Sequence, residues 1–70
     1  MYQIKETTKE LIKEKIRISY LTKKTGLSRQ YISMIINKNQ VCSQVVAYTI
    51  TKALDENKKI EDYFIKISWK

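Results

Sequence analysis

Apolar positions recur at helical spacing through most of the chain, and the places where the recurrence breaks are as informative as those where it holds. Thr7 or Thr8 can cap a first helix reaching about Lys15, with Leu11, Ile12 and Ile16 turned inward and Lys9, Lys13 and Glu14 in water. Ile18, Leu21 and Thr25 then share a helical face at i, i+3 and i+7, with Thr22 on its border. Gly26 ends that run. Ser28 can cap the next helix, its hydroxyl accepting from an unpaired first-turn amide. Winding Arg29 to Asn37 at about 100° per residue places Tyr31, Ile32, Ile35 and Ile36 on one side. Arg29, Gln30, Ser33, Met34 and Asn37 fall on the other.

After Asn37 the run NKNQVCS has no periodicity and reads as a loop. Ser43 caps a longer helix to about Asp55, with Val46, Ala47, Ile50, Ala53 and Leu54 as its buried face. A second stripe on that helix, Val45, Tyr48, Thr49 and Lys52, lies off the core. DENKK breaks the pattern, and Ile60 to Phe64 can make one or two further turns, burying Ile60, Tyr63 or Phe64. The two ends alternate instead with period two. Tyr2 and Ile4 share one side of a short leading stretch, and residues 65–70 have the pattern of a strand with one covered face. Such a strand needs a partner, either Tyr2–Ile4 of the same chain or its own copy in a second subunit. The expected fold is therefore mainly α: a compact bundle of about five short helices with a short C-terminal strand. It forms one domain over residues 1–70, with a helical core over about 7–64 and a tail over 65–70.

Gly26 is the only glycine of the chain, and there is no proline. A residue tolerant of positive φ, standing between two amphipathic segments of eight or nine residues, is the signature of a helix-turn-helix. Its second helix carries an outward face suited to base edges. Arg can bond a guanine, Gln an adenine, and an apolar group can meet a thymine methyl. Arg29, Gln30, Ser33 and Met34 are thus the candidate base-reading residues. An ordinary amphipathic helix with a solvated face would show the same split, so the helix alone does not decide the matter.

At this point the segment LTKKTGLSRQYISMIIN resembles the helix-turn-helix of the phage repressor and Cro proteins and their small bacterial relatives. That family's pattern has a Leu-Ala pair, a Gly at the turn followed by a hydrophobic residue and Ser, then Ile-Ser and a further hydrophobic position. Leu21, Gly26, Leu27, Ser28, Ile32, Ser33 and Ile35 match it. Downstream, SQVVAYTITKAL is similar to the family's fourth helix and KIEDYF to its short fifth, so the likeness covers about Leu11 to Phe64. Several positions depart from it. Thr22 replaces the usual Ala, Arg17 a capping Ser or Thr, and Ile18 a frequent Gln. No Gly stands near Lys15-Ile16, Cys42 replaces a common Pro, and the DENKK turn is longer. The resemblance implies a lambda-repressor/Cro-like fold that binds a pseudo-palindromic double-stranded DNA operator as a homodimer. It implies that the loop after Asn37 lies along the DNA backbone. There Lys38, Asn39 and Gln40 can donate to phosphates, and the amide end of the helix capped by Ser43 can approach another. Arg17, Ser28, Tyr31 and Asn37 complete the expected backbone-facing set. Val45, Tyr48, Ile67 and Trp69 are the candidate dimer contacts.

Charge sharpens this picture. The chain has 70 residues and a formal net charge of +7, and all seven acids lie outside Lys15–Leu54. Inside that span stand Lys15, Arg17, Lys23, Lys24, Arg29, Lys38 and Lys52. A positive field centred on the reading helix is what a polyanion-binding surface requires. Other chemistry is poorly provided for. With no His and a single Cys there is no zinc-finger ligand set, and neither a catalytic pair nor a glycine-rich phosphate loop is present. An enzyme is therefore not expected, and no cofactor. The aromatic platform of single-strand RNA readers is missing too. Cys42 cannot form an intrachain disulfide, which suits a reducing cytoplasm, and it reads as a small apolar residue before a helix cap. No run reaches membrane-spanning length and no N-terminal signal pattern is visible. The leading expectation is a cytoplasmic, sequence-specific transcriptional regulator of the phage or mobile-element type. The alternative is a protein-interaction module on the same fold, such as an antirepressor-like or polymerase-recruiting subunit, with Val45, Tyr48 and Trp69 as its working surface.

Overall fold

A short strand at each end of the chain encloses five helices. A computed structural model describes residues 1–67, in the order β1 (Tyr2–Ile4), α1 (Glu6–Lys15), α2 (Ile18–Thr25), α3 (Arg29–Asn37), α4 (Gln44–Leu54), α5 (Ile60–Tyr63) and β2 (Phe64–Lys66). The protein is mainly helical, as the periodicity implies.

α1 begins earlier than Thr7 or Thr8 would set it. Lys5 is the cap, with extended φ and ψ and no side-chain cap bond. Its carbonyl accepts from the amides of Thr8 and Lys9, both at 3.1 Å. The threonine hydroxyl is engaged elsewhere: Thr8 Oγ1 donates to the Tyr63 carbonyl at 2.9 Å, which also accepts from the Lys5 amide at 3.1 Å. Lys9, expected in water, is only 9% exposed; its stem covers apolar surface while the ammonium reaches Glu6 at 3.2 Å. That is the one ion pair among the described residues. The turn from α1 to α2 needs no glycine, because Ile16 (φ −128°) and Arg17 (φ −88°) are both extended at negative φ.

β1 and β2 pair antiparallel within the chain, with Tyr2 opposite Lys66, Gln3 opposite Ile65 and Ile4 opposite Phe64. The Ile67 amide adds a 2.7 Å bond to the Met1 carbonyl. Two expectations need correcting here. The strand starts at Phe64 rather than Ile65, and its covered face is the one carrying Phe64. Phe64 is held against buried Ile4, which leaves Ile65, opposite Gln3, 49% exposed on the outer face. Side chains alternate along a strand, so seating Phe64 inward turns Ile65 outward, while Ile67 beyond it is half-buried. Trp69 lies outside the described residues.

β1 also pairs on its other side, with Cys42, through two 2.8 Å bonds between the main chains of Tyr2 and Cys42. The core beneath is aliphatic. Leu21, Ile32, Ile35 and Ala47 are fully enclosed, and Ile12, Ile36, Ile50 and Phe64 are nearly so. α2 packs on both α3 and α4, so Leu21 lies within the group that joins the helices. Thr51, one position beyond the expected Ile50, is also fully buried, and its hydroxyl has no partner.

The two buried threonines therefore predict opposite outcomes. Thr51→Val removes an orphaned hydroxyl at nearly constant shape and is expected to raise stability by about 1 kcal/mol. Thr8→Val loses a made hydrogen bond and is expected to lower it by a similar amount. Urea midpoints at unchanged m-value measure both.

Candidate nucleic-acid interface

The hinge is built from backbone. Gly26 takes φ 76° and ψ 4°, and its amide donates to the Thr22 carbonyl at 2.9 Å, closing α2. A Cβ placed on Gly26 would meet nothing within 4 Å, so the need for glycine is conformational, not steric. Thr25 braces the turn from both sides. Its Oγ1 donates to the Leu21 carbonyl at 2.7 Å and accepts from the Leu27 amide at 3.1 Å. Thr22, in the position where Ala was expected, turns its hydroxyl back onto its own helix and donates to the Ile18 carbonyl at 3.0 Å. Its polarity is thereby satisfied within α2.

α3 starts at its expected cap: Ser28 Oγ accepts from the Tyr31 amide at 3.1 Å. Ile32, Ile35 and Ile36 are buried and Tyr31 packs half-buried against them. Arg29, Gln30 and Asn37 stand exposed, Met34 is 38% exposed, and Ser33 is half-exposed between them. Asn37 Nδ2 donates to Ser33 Oγ at 2.9 Å, which leaves the serine hydroxyl hydrogen free to donate outward. Among the described residues no carboxylate pairs with Arg29. The outward face is thus polar, cationic and open. Tyr31 differs from its expected role in one respect: with its ring against the core, it offers at most its phenolic edge to a backbone.

The loop after α3 is held more firmly than its composition suggests. The Met34 carbonyl accepts from the amides of Lys38 (2.9 Å) and Gln40 (3.3 Å), and Asn39 adopts a left-handed φ of 55°. Gln3 Nε2 donates to the Asn39 carbonyl at 3.0 Å, so β1 holds this loop through both Gln3 and the Tyr2–Cys42 pair. Lys38 and Asn39 remain exposed. Cys42 is buried, and the loss of solvent pushes its thiol above the ordinary value, against a smaller opposing pull from the amino terminus. It stays protonated and apolar at neutral pH. Ser43 caps α4, accepting from the Val46 amide at 3.3 Å, and is exposed with the loop.

The remaining candidates belong to other elements. Arg17 is exposed at the start of α2 and lines a groove with Lys15, Ile16, Tyr20 and Leu54. On α4, Val45 is 74% and Tyr48 54% exposed. The Lys52 ammonium lies 5.4 Å from the Tyr48 ring centre and donates to the carbonyls of Glu56 and Lys58 at 3.0 Å each. Lys52 therefore closes the turn after α4 more than it extends the positive face. Ile67 is half-buried beside the sheet. Sequence reasoning missed the supporting role of Gln3 and the exposure of Tyr20; neither position carries a local signal that would have shown it. Comparison of the chain with models of known families, with curated proteins and with solved structures found no match.

Gly26→Ala is expected to cost about 1–2 kcal/mol, since an alanine must adopt the left-handed region without any steric relief to gain. Gly26→Asn should lose less, because asparagine tolerates that region better. Thermal denaturation of the three proteins gives the ordering, and equal stabilities for Gly and Ala would contradict it.

Proposed function

We propose that the chain is a sequence-specific double-stranded DNA-binding transcriptional regulator of the Cro or repressor type, from a phage or mobile element and acting in the cytoplasm. The observation that carries this reading is the outward face of α3. Arg29, Gln30, Ser33 and Met34 stand clear of the core on a hinged helix pair, within a stretch that has no acidic residue. In this reading α3 lies in the major groove. Arg29 and Gln30 contribute most to base discrimination, with Ser33 donating through its free hydroxyl hydrogen and Met34 meeting a thymine methyl. Ser28, Asn37, Lys38, Asn39 and Ser43 bond phosphates along one flank and Tyr31 adds its phenol edge, with Arg17 the outlying member of the set. No helix of the described residues is long and apolar enough to cross a membrane.

A homodimer places two copies of α3 about 34 Å apart on a pseudo-palindromic operator. Val45 and Tyr48 supply its contact surface in this reading. Their exposure also supports the second reading, a protein-interaction module in which those two side chains meet a partner and α3 is a solvated face. Retardation of random duplexes at low salt separates the two readings, since the module gives none.

Selection from a random duplex pool should return a site with two related halves. Arg29→Ala should then lose about 1–3 kcal/mol of preference at one base pair per half while leaving non-specific binding largely intact. Lys38→Ala should weaken all sequences alike and reduce the dependence of affinity on salt. An Arg29→Ala protein with the original operator preference would show that this side chain does not read bases.

A further inference from the structure

The groove at the start of α2 is unlike the α3 face. It is shallow, encloses about 390 Å³, and is lined by Lys15, Ile16, Arg17, Tyr20 and Leu54. Three parts of the fold build it: the last residue of α1, the extended Ile16–Arg17 linker with the first turn of α2, and the end of α4. The apolar lining comes from Ile16 and Leu54, each half-buried against the core. Tyr20 stands at its side, 46% exposed, with the Lys24 ammonium 5.8 Å from the ring centre. Lys15 and Arg17 are exposed at the rim. No acid lines the groove, and among the described residues none of these cations is paired with a carboxylate. Asp55, the residue after Leu54 and the C-cap of α4, is engaged in its own turn, where its Oδ1 accepts from the Asn57 amide at 2.9 Å.

We propose that this groove docks an acidic peptide segment of a protein partner, through one large apolar side chain flanked by carboxylates. The two halves of that recognition come from different parts of the wall. Lys15 and Arg17 attract the carboxylates, the guanidinium being the group suited to bidentate pairing, and Lys24 adds charge beside the tyrosine. Ile16, Leu54 and the face of Tyr20 then cover the apolar group. A nucleic-acid backbone would satisfy the cations but leave the aliphatic lining against water, so the mixed wall favours a peptide. The proposal leaves the α3 face as it stands but gives Arg17 a carboxylate partner in place of the phosphate assigned to it above.

The test is a titration of the isotope-labelled full chain with the peptide acetyl-Asp-Glu-Phe-Asp-Glu-amide, followed by amide chemical shifts. Saturable shifts confined to residues 15–20, Lys24 and Leu54 are expected. Replacing the peptide's Phe by Ser should weaken binding by about tenfold or more, the equivalent of losing one buried apolar side chain. Arg17→Glu, and independently Lys15→Glu should the first variant unfold, should weaken it by at least as much, whereas Arg29→Ala should leave it unchanged. Four results would overturn the proposal. Shifts spread equally over α3 and residues 38–41, with the Ser peptide as good as the Phe peptide, would mean plain attraction to the net charge. A short duplex giving the same shifts at residues 15–20 would make phosphate the occupant. Shifts that follow protein concentration instead of peptide would make it a second copy of the chain. No shift at all would leave the groove without this ligand.

Discussion

The rotation of α3 about its own axis is set by three isoleucines. Ile32, Ile35 and Ile36 are each all but removed from solvent, and at about 1.5–3 kcal/mol per buried side chain they outweigh any interaction made by the opposite face. Turning the helix enough to hide Arg29 and Gln30 would expose two or three of them, a loss comparable to the whole stability of a small domain. The polar face is therefore presented before any ligand arrives. Gly26 and Ser28 determine where the helix begins, and the isoleucines determine which way it looks. Leu21, fully buried in α2, stands in the same core and ties that orientation to the rest of the bundle.

Most of this was legible in the sequence because it is local. Helix periodicity, the Ser28 and Ser43 caps and the single glycine act over a few residues, and each element they define is present at nearly the expected bounds. The failures lie where distant segments decide. Thr8 was a plausible cap, but a carbonyl 55 residues away takes its hydroxyl. Lys9 looked solvated, yet packing covers its stem. Ile65 has the spacing of a covered strand residue but is exposed, because Phe64 takes the inward place opposite Ile4. In each case a local preference worth a few tenths to about 1 kcal/mol was overridden by a tertiary contact of equal or greater worth.

The candidate interface divides in the same way. Which residues face outward from α3 follows from winding alone. That the loop carrying Lys38 and Asn39 is held still does not, because its supports are Gln3 and Tyr2 at the far end of the chain. In the proposed DNA-binding role such bracing helps, since less freedom of the loop remains to be lost on contact with the phosphates. The polar character of residues 37–40 names the groups available, and β1 makes them an arrangement.

β1 lies between β2, its partner in the two-stranded sheet, and Cys42, with which it makes an isolated bridge. Its partners are thus remote along the chain, whereas α2 and α3 are joined by a turn of only a few residues. Loop-closure entropy makes remote pairings the slower ones to form. By this argument a nascent molecule closes the α2–α3 turn early and pairs β1 with β2 last. Until Phe64–Lys66 has left the ribosome and settled beside Tyr2–Ile4, the strand that braces the loop after α3 has only one of its two neighbours.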